Sequence, residues 1–140
     1  MRRSIRTAAV AVSAVGLVFG LSACSEVEKK AVDAVDKTVN EEYEVTYEVT
    51  GKSVEAITFT GGGGTAASPK IETVDNPTLP WTKTVKLKGI MAPVVTPVAV
   101  DLTGAAEVTC KIVYKGKALD EKSGKGIGAT GCNAMSPLAP

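Results

Sequence analysis

From Tyr43 the chain alternates, with Tyr43, Val45, Tyr47 and Val49 apolar and Glu44, Thr46, Glu48 and Thr50 polar between them. A period of two is that of a strand with one buried and one wet face. After the turn Gly51-Lys52-Ser53, residues 54–60 supply Ala56, Ile57 and Phe59, and Gly61 to Gly64 break the pattern. This predicts two neighbouring strands followed by a mobile loop. A weaker strand is expected around 71–74, and Asn76-Pro77-Thr78-Leu79-Pro80 reads as a rigid turn, because its prolines fix φ and withhold amide donors. Trp81, Val85 and Leu87 then alternate with Thr82, Thr84, Lys86 and Lys88. Lys83 breaks the inward parity, which points to an edge strand.

The pattern continues through 94–102, where Pro97 cannot donate to a ladder and so implies an edge or a bulge. Residues 107–114 give the clearest core strand, since Val108, Cys110, Ile112 and Tyr114 share a face. Lys115-Gly116-Lys117 turns the chain, 118–122 returns, and 124–131 leads to Cys132. Short strands at this spacing predict an all-β fold, an antiparallel, immunoglobulin-like β-sandwich of about seven to eight strands. The tryptophan precedes both cysteines, so the cysteine-tryptophan-cysteine order of antibody domains is absent.

Before the first strand the period is four: Val27, Ala31, Val35 and Val39 recur within a charged stretch. That spacing places them on one face of a helix, thin enough that residues 24–42 are expected to form a short helical or flexible tether. The stripe could dock on a partner or on lipid headgroups, or the segment could be a solvated spacer.

Further upstream, Arg2, Arg3 and Arg6 precede an apolar run from Ala8 to Phe19 that closes on Leu21-Ser22-Ala23-Cys24. The run falls short of the roughly 20 residues a spanning helix takes and has the layout of a secretory signal. Its last four residues resemble a bacterial lipobox, in which the peptidase cuts before a cysteine already carrying diacylglycerol. The expected division is a signal peptide over 1–23, a tether lipidated at Cys24 over 24–42, a sandwich over 43–134 and a disordered tail over 135–140. An uncut anchor and an ordinary signal cut after Ala23 are the competing readings. Stable anchoring takes two acyl chains, each buried methylene contributing about 0.8 kcal/mol.

Removing such a signal takes away every arginine and leaves 13 lysines against 15 acids. No excess of positive charge remains, so nucleic acid is not an expected partner. Two cysteines are left, Cys110 and Cys132, and outside the cytoplasm an even pair is most simply one bridge. A zinc site competes for them but lacks ligands, because the chain contains no histidine.

Catalytic chemistry is hard to assemble from what remains. Gly126-Ile127-Gly128-Ala129-Thr130-Gly131 matches a dinucleotide fingerprint by letter, yet that motif must open a helix inside a βαβ unit. Here it sits in a glycine-rich strand and turn beside a cysteine. Gly51-Lys52-Ser53 lacks the upstream glycine of a phosphate loop, since Thr46 stands there. Without histidine a serine nucleophile would need a lysine base, and no Ser-x-x-Lys follows residue 24. Asp120 and Glu121 are adjacent in a strand and point to opposite sides. A non-enzymatic protein without cofactor or metal is expected.

Taken in order, Val45-Thr46-Tyr47-Glu48-Val49-Thr50-Gly51, Ala56-Ile57-Thr58-Phe59, Leu79-Pro80-Trp81-Thr82, Ala92-Pro93-Val94 and Val108-Thr109-Cys110-Lys111-Ile112 with Cys132 resemble the MmpS proteins. These are small accessory partners of RND-type (MmpL) exporters in actinobacteria. The resemblance implies a sandwich outside the membrane, a Cys110–Cys132 bridge and a role supporting such an exporter. The chain departs from the family in one respect, a lipid at Cys24 where members keep a transmembrane helix. Trp81, Tyr43 and Tyr47 each fit either a partner contact or the core. The alternative function is a lipoprotein whose sheets part to hold a lipid or small molecule.

Overall fold

The computed structural model of the chain describes residues 22–101, 103–125, 128–129 and 131–139. It divides into two compact units, 1–34 and 35–140. The signal expected over 1–23 lies almost wholly outside the described residues.

Helix α1, Ser22–Asn40, fulfils the period of four and includes Cys24 in its first turn. It stops where the apolar period changes. The Glu41 amide donates to the Lys37 carbonyl at 3.0 Å, satisfying one orphan carbonyl of the last turn, and the Asn40 side chain donates to the Asp36 carbonyl at 2.9 Å. Val32, Val35 and Val39 remain exposed along it. Among the described residues no helix is long and apolar enough to cross a membrane.

The strands are β1 (Glu42–Gly51), β2 (Val54–Thr65), β3 (Ser68–Asp75), β4 (Trp81–Lys88), β5 (Val94–Ala99), β6 (Glu107–Tyr114), β7 (Lys117–Lys125), β8 (Gly128–Ala129) and β9 (Cys132–Asn133). They form two antiparallel sheets. The first has the order β4-β1-β6-β7, and the second runs β3-β2-β5-β8 with β9 also paired to β5. The expected β-sandwich is therefore present.

Alternation explains the core. Tyr43, Val45, Tyr47 and Val49 of β1 lie opposite Leu87, Val85, Ile112 and Cys110 of the flanking strands, and all are buried. Ile57, Phe59, Val95 and Ala99 of the second sheet meet them. Burying each large side chain of this kind contributes roughly 1.5–3 kcal/mol. The Cys110–Cys132 disulfide passes between the sheets, from β6 to β9, with Cα atoms 5.9 Å apart. Chain-entropy arguments give roughly 3 kcal/mol for a loop of this length.

Four expectations need correction. The strands read as neighbours, β1 and β2, lie in opposite sheets. The glycines read as a mobile loop continue β2, whose pairing with β3 shifts register between Thr60 and Gly64. Close approach demands them: a Cβ on Gly62 would sit 3.3 Å from the Lys86 carbonyl oxygen of β4, and Gly64 has φ +78°. Pro97 marks no edge, because β5 is flanked by β2 on one side. On the other side, pairing is interrupted opposite Thr96 and Pro97, resuming at Val95–Cys132 and Val98–Ala129. Lys83 fits its expectation, since β4 is an outer strand and the side chain stays exposed.

The stretch expected to trail as a disordered tail is tied to the core. Ser136 is buried and donates to the Gly89 carbonyl at 2.6 Å, and Leu138 packs on the core.

Candidate interaction surface

Inward positions of the sandwich are occupied by its own side chains. Tyr47, Ile57, Phe59, Leu87, Met91 and Ile112 are fully buried and fill the space between the sheets. Tyr47 donates its hydroxyl to the Thr60 carbonyl at 2.9 Å, which ties one sheet to the other. Burial pushes the Tyr47 phenol well above its ordinary range, and Tyr43, which donates to the Met91 carbonyl, is raised for the same reason. Both tyrosines are thus core groups whose hydroxyls are satisfied internally. Trp81 is half-buried, with its ring 5.3 Å from Phe59, so it too belongs to the core margin.

The outer face of the first sheet is a lattice of complementary pairs. Glu42 stands beside Lys88 with an ion pair at 3.4 Å, and Lys111 and Lys125 reach Glu121 and Glu107 at 3.8 Å. Thr46 and Thr84 share a hydroxyl bond at 2.9 Å, as do Thr109 and Ser123 at 2.8 Å. Opposite charges and hydroxyls placed directly across strands stabilise one another and keep such a face hydrated. Grooves of about 330 and 210 Å³ on this side are lined by the same polar residues, among them Thr50, Glu107, Thr109 and Lys111.

The outer face of the second sheet is of another kind. Register aligns Thr73, Thr58 and Thr96 across β3, β2 and β5, with the Thr58 and Thr73 hydroxyls 3.3 Å apart. Asp75, Ala56 and Val98 form the row on one side, and Ile71 and Val94 lie at the outward positions on the other. Asp75, at the end of β3, is the one charged residue among these eight. Ile71 is 55% exposed, and Val100, just past β5, is 45% exposed. A one-face-wet antiparallel sheet ordinarily carries polar and charged residues outward, and this face is poorer in charge than that of the first sheet.

Outer strands are guarded by charges at inward parity. Glu72 of β3 pairs with Lys70 at 2.9 Å, Lys83 occupies such a position on β4, and Asp120 and Lys122 do so on β7. Inward charge discourages another strand from adding to an edge. Asp120 also accepts from the Asn133 amide at 2.9 Å, beside the disulfide. Its carboxyl is held below the usual range by Lys122, 3.0 Å away, and then by that amide. Asp120 and Glu121 are therefore structural: Glu121 lies on the outer face with Lys111, and the two carboxylates do not converge.

Among the expected site residues, Cys110 and Cys132 are brought together as the inter-sheet bridge. Cys24 lies in the backbone of α1. Among the described residues no cluster of three or more acidic, cysteine or histidine side chains could hold a metal. The low charge of this face has a signal in the sequence: β5 carries no charged residue, and the outward positions of β2 and β3 are threonine, alanine and isoleucine until Asp75.

No curated protein matches the chain. Residues 4–136 match the family described as Mycobacterium membrane protein. With nearly the whole length covered, and the sandwich, the bridge and the ordered motifs in agreement, the chain belongs to this membrane-associated, MmpS-type family.

Proposed function

We propose that the protein is a lipid-anchored, non-catalytic accessory on the extracytoplasmic face of the cell membrane, supporting an RND/MmpL-type exporter through protein contacts. The observation that carries this reading is the charge-poor outer face of the second sheet, with Ile71 exposed on it, in a chain of a membrane-protein family. A surface of that composition contributes more when covered than when wet. The Leu21-Ser22-Ala23-Cys24 sequence supports attachment through Cys24. Among the described residues, Tyr47, Ile57, Phe59, Leu87 and Ile112 take up inward positions, which favours contact at the surface over the alternative of a lipid or small molecule held between parted sheets.

Crosslinking the native protein in its own membrane, followed by mass spectrometry of what it touches, tests the reading. Recovery of an RND-class exporter supports it, and recovery of lipid with no transport protein overturns it. Anchoring has its own test: Cys24→Ser should abolish metabolic labelling with palmitate, and retained label would refute lipidation there.

A further inference from the structure

We propose that the end of the sandwich at which α1 joins β1 rests directly on a bilayer bearing anionic phospholipid headgroups. Among the described residues of the 35–140 unit, the large apolar side chains that stay exposed are Val35, Val39, Ile71, Ile90, Val100 and Met135. Four of these six lie at this one end. Val35 and Val39 are one turn apart on α1, and Ile90 lines with Val39 a groove of about 120 Å³ that Ala66 and Lys88 also border. Met135, 78% exposed, is brought here by its neighbour Ser136, whose hydroxyl donates to the Gly89 carbonyl at 2.6 Å.

These side chains are held in place. The Gly89 amide donates to the Glu41 carbonyl at 2.8 Å, and Gly89, with φ +56°, lies so close to α1 that a Cβ there would collide with the Val39 carbonyl. Apolar side chains gathered on an ordered surface mark a place of contact.

Charge and reach identify the occupant. Strand β6 runs antiparallel to β1, so the turn into β7 comes to the end where β1 starts. Lys88, Lys115 and Lys117 therefore stand at this end with Glu41 and Glu42, while Lys70 is balanced by its ion pair with Glu72. The opposite end carries Lys52 and Lys125 against Glu55, Asp75, Asp101 and Glu107. An anionic bilayer attracts the end that bears the apolar side chains and repels the other. Shallow burial of apolar groups beside lysines is how proteins lie on such a surface. From Cys24 to Val35 is about 17 Å of helix, so the anchoring proposed above, on which this step rests for its reach, keeps the patch near the lipid.

The test uses the full chain purified from its membrane and returned to vesicles of phosphatidylcholine and phosphatidylglycerol that include a phospholipid with a photoreactive group near its headgroup. After illumination, peptide mass spectrometry maps the lipid adducts. Ile90 and Met135 should carry about ten-fold more adduct than Val100 and Ile71, which are exposed to 45% and 55% and serve as controls. Omitting phosphatidylglycerol should lower the Ile90 and Met135 adducts by about three-fold, and Lys115→Glu combined with Lys117→Glu should do the same. Equal adducts at the four positions, none at Ile90 and Met135, or a yield indifferent to both lipid charge and the two lysines would each overturn the proposal. The mass of the peptide containing residue 24, read on the same samples, separates the two readings. An acylated peptide with equal adducts at the four positions removes the docking alone, and adducts confined to Ile90 and Met135 with an unacylated peptide remove the anchoring alone.

Discussion

The two sheets share one core and one alternation, yet their outer faces follow different rules. On the first, nearly every outward charge has an opposite neighbour across the strand, as Glu42 has Lys88 and Lys111 has Glu121. On the second, the equivalent positions carry Thr58, Thr73, Thr96 and Val98. Inward residues of both sheets answer to packing, so they are alike. Outward residues answer to whatever lies outside, and the two faces differ in how much charge they present.

The largest effect should come from cutting what joins the sheets. Replacing Cys110 and Cys132 together by serine should cost about 3 kcal/mol and lower Tm by roughly 15 °C in a thermal melt. A shift of a few degrees would show that core packing alone holds the faces apart.

Next in size is the hydroxyl tie. Tyr47→Phe leaves the Thr60 carbonyl unpartnered in the core and should cost about 1–2 kcal/mol by denaturant titration. The same tyrosine sets an alkaline limit. Its folded pKa is raised, so the folded state keeps a proton that the unfolded chain releases, and Tyr43 acts in the same direction. Stability is then fully present below about pH 10 and falls as pH rises above it. The slope should flatten in Tyr47→Phe, and an unchanged slope would assign the alkaline loss elsewhere.

Charge placed on either face sharpens the comparison without touching the core. Thr84→Lys and Thr58→Lys should each change the stability of the isolated chain by no more than about 0.5 kcal/mol, as exposed substitutions do. Only the second should reduce contact in the membrane. The smallest effect belongs to the ion pairs: Lys88→Ala should cost at most about 0.5 kcal/mol, vanishing at high salt.

Much of this fold was legible because one-sided burial writes itself as a period of two. Tyr43 to Val49 and Val108 to Ile112 announced the central strands, and the parity break at Lys83 announced an edge. What escaped depended on remote partners. Gly61 to Gly64 look like a break, since the carbonyl that Gly62 must pass belongs to Lys86, 24 positions along. Ser136 looked like part of a tail because its acceptor is Gly89 and its neighbour Tyr43. The charge-poor face was hidden for another reason. In Val94-Val95-Thr96-Pro97-Val98-Ala99 both faces are free of charge, so the run shows no period from which to tell inside from outside.

The strand order has a consequence for how the molecule is made. Strand β1 is the first to be synthesised, but its two partners, β4 and β6, begin at Trp81 and Glu107. It must wait with Tyr43, Val45, Tyr47 and Val49 uncovered while hairpins such as β2–β3 close locally. Pairing across so many residues is slow, because the loop entropy is lost before any contact repays it. During its birth the chain therefore carries the inward face of its first strand uncovered, and anything that shields residues 43–49 until β6 arrives should raise the yield of folded protein.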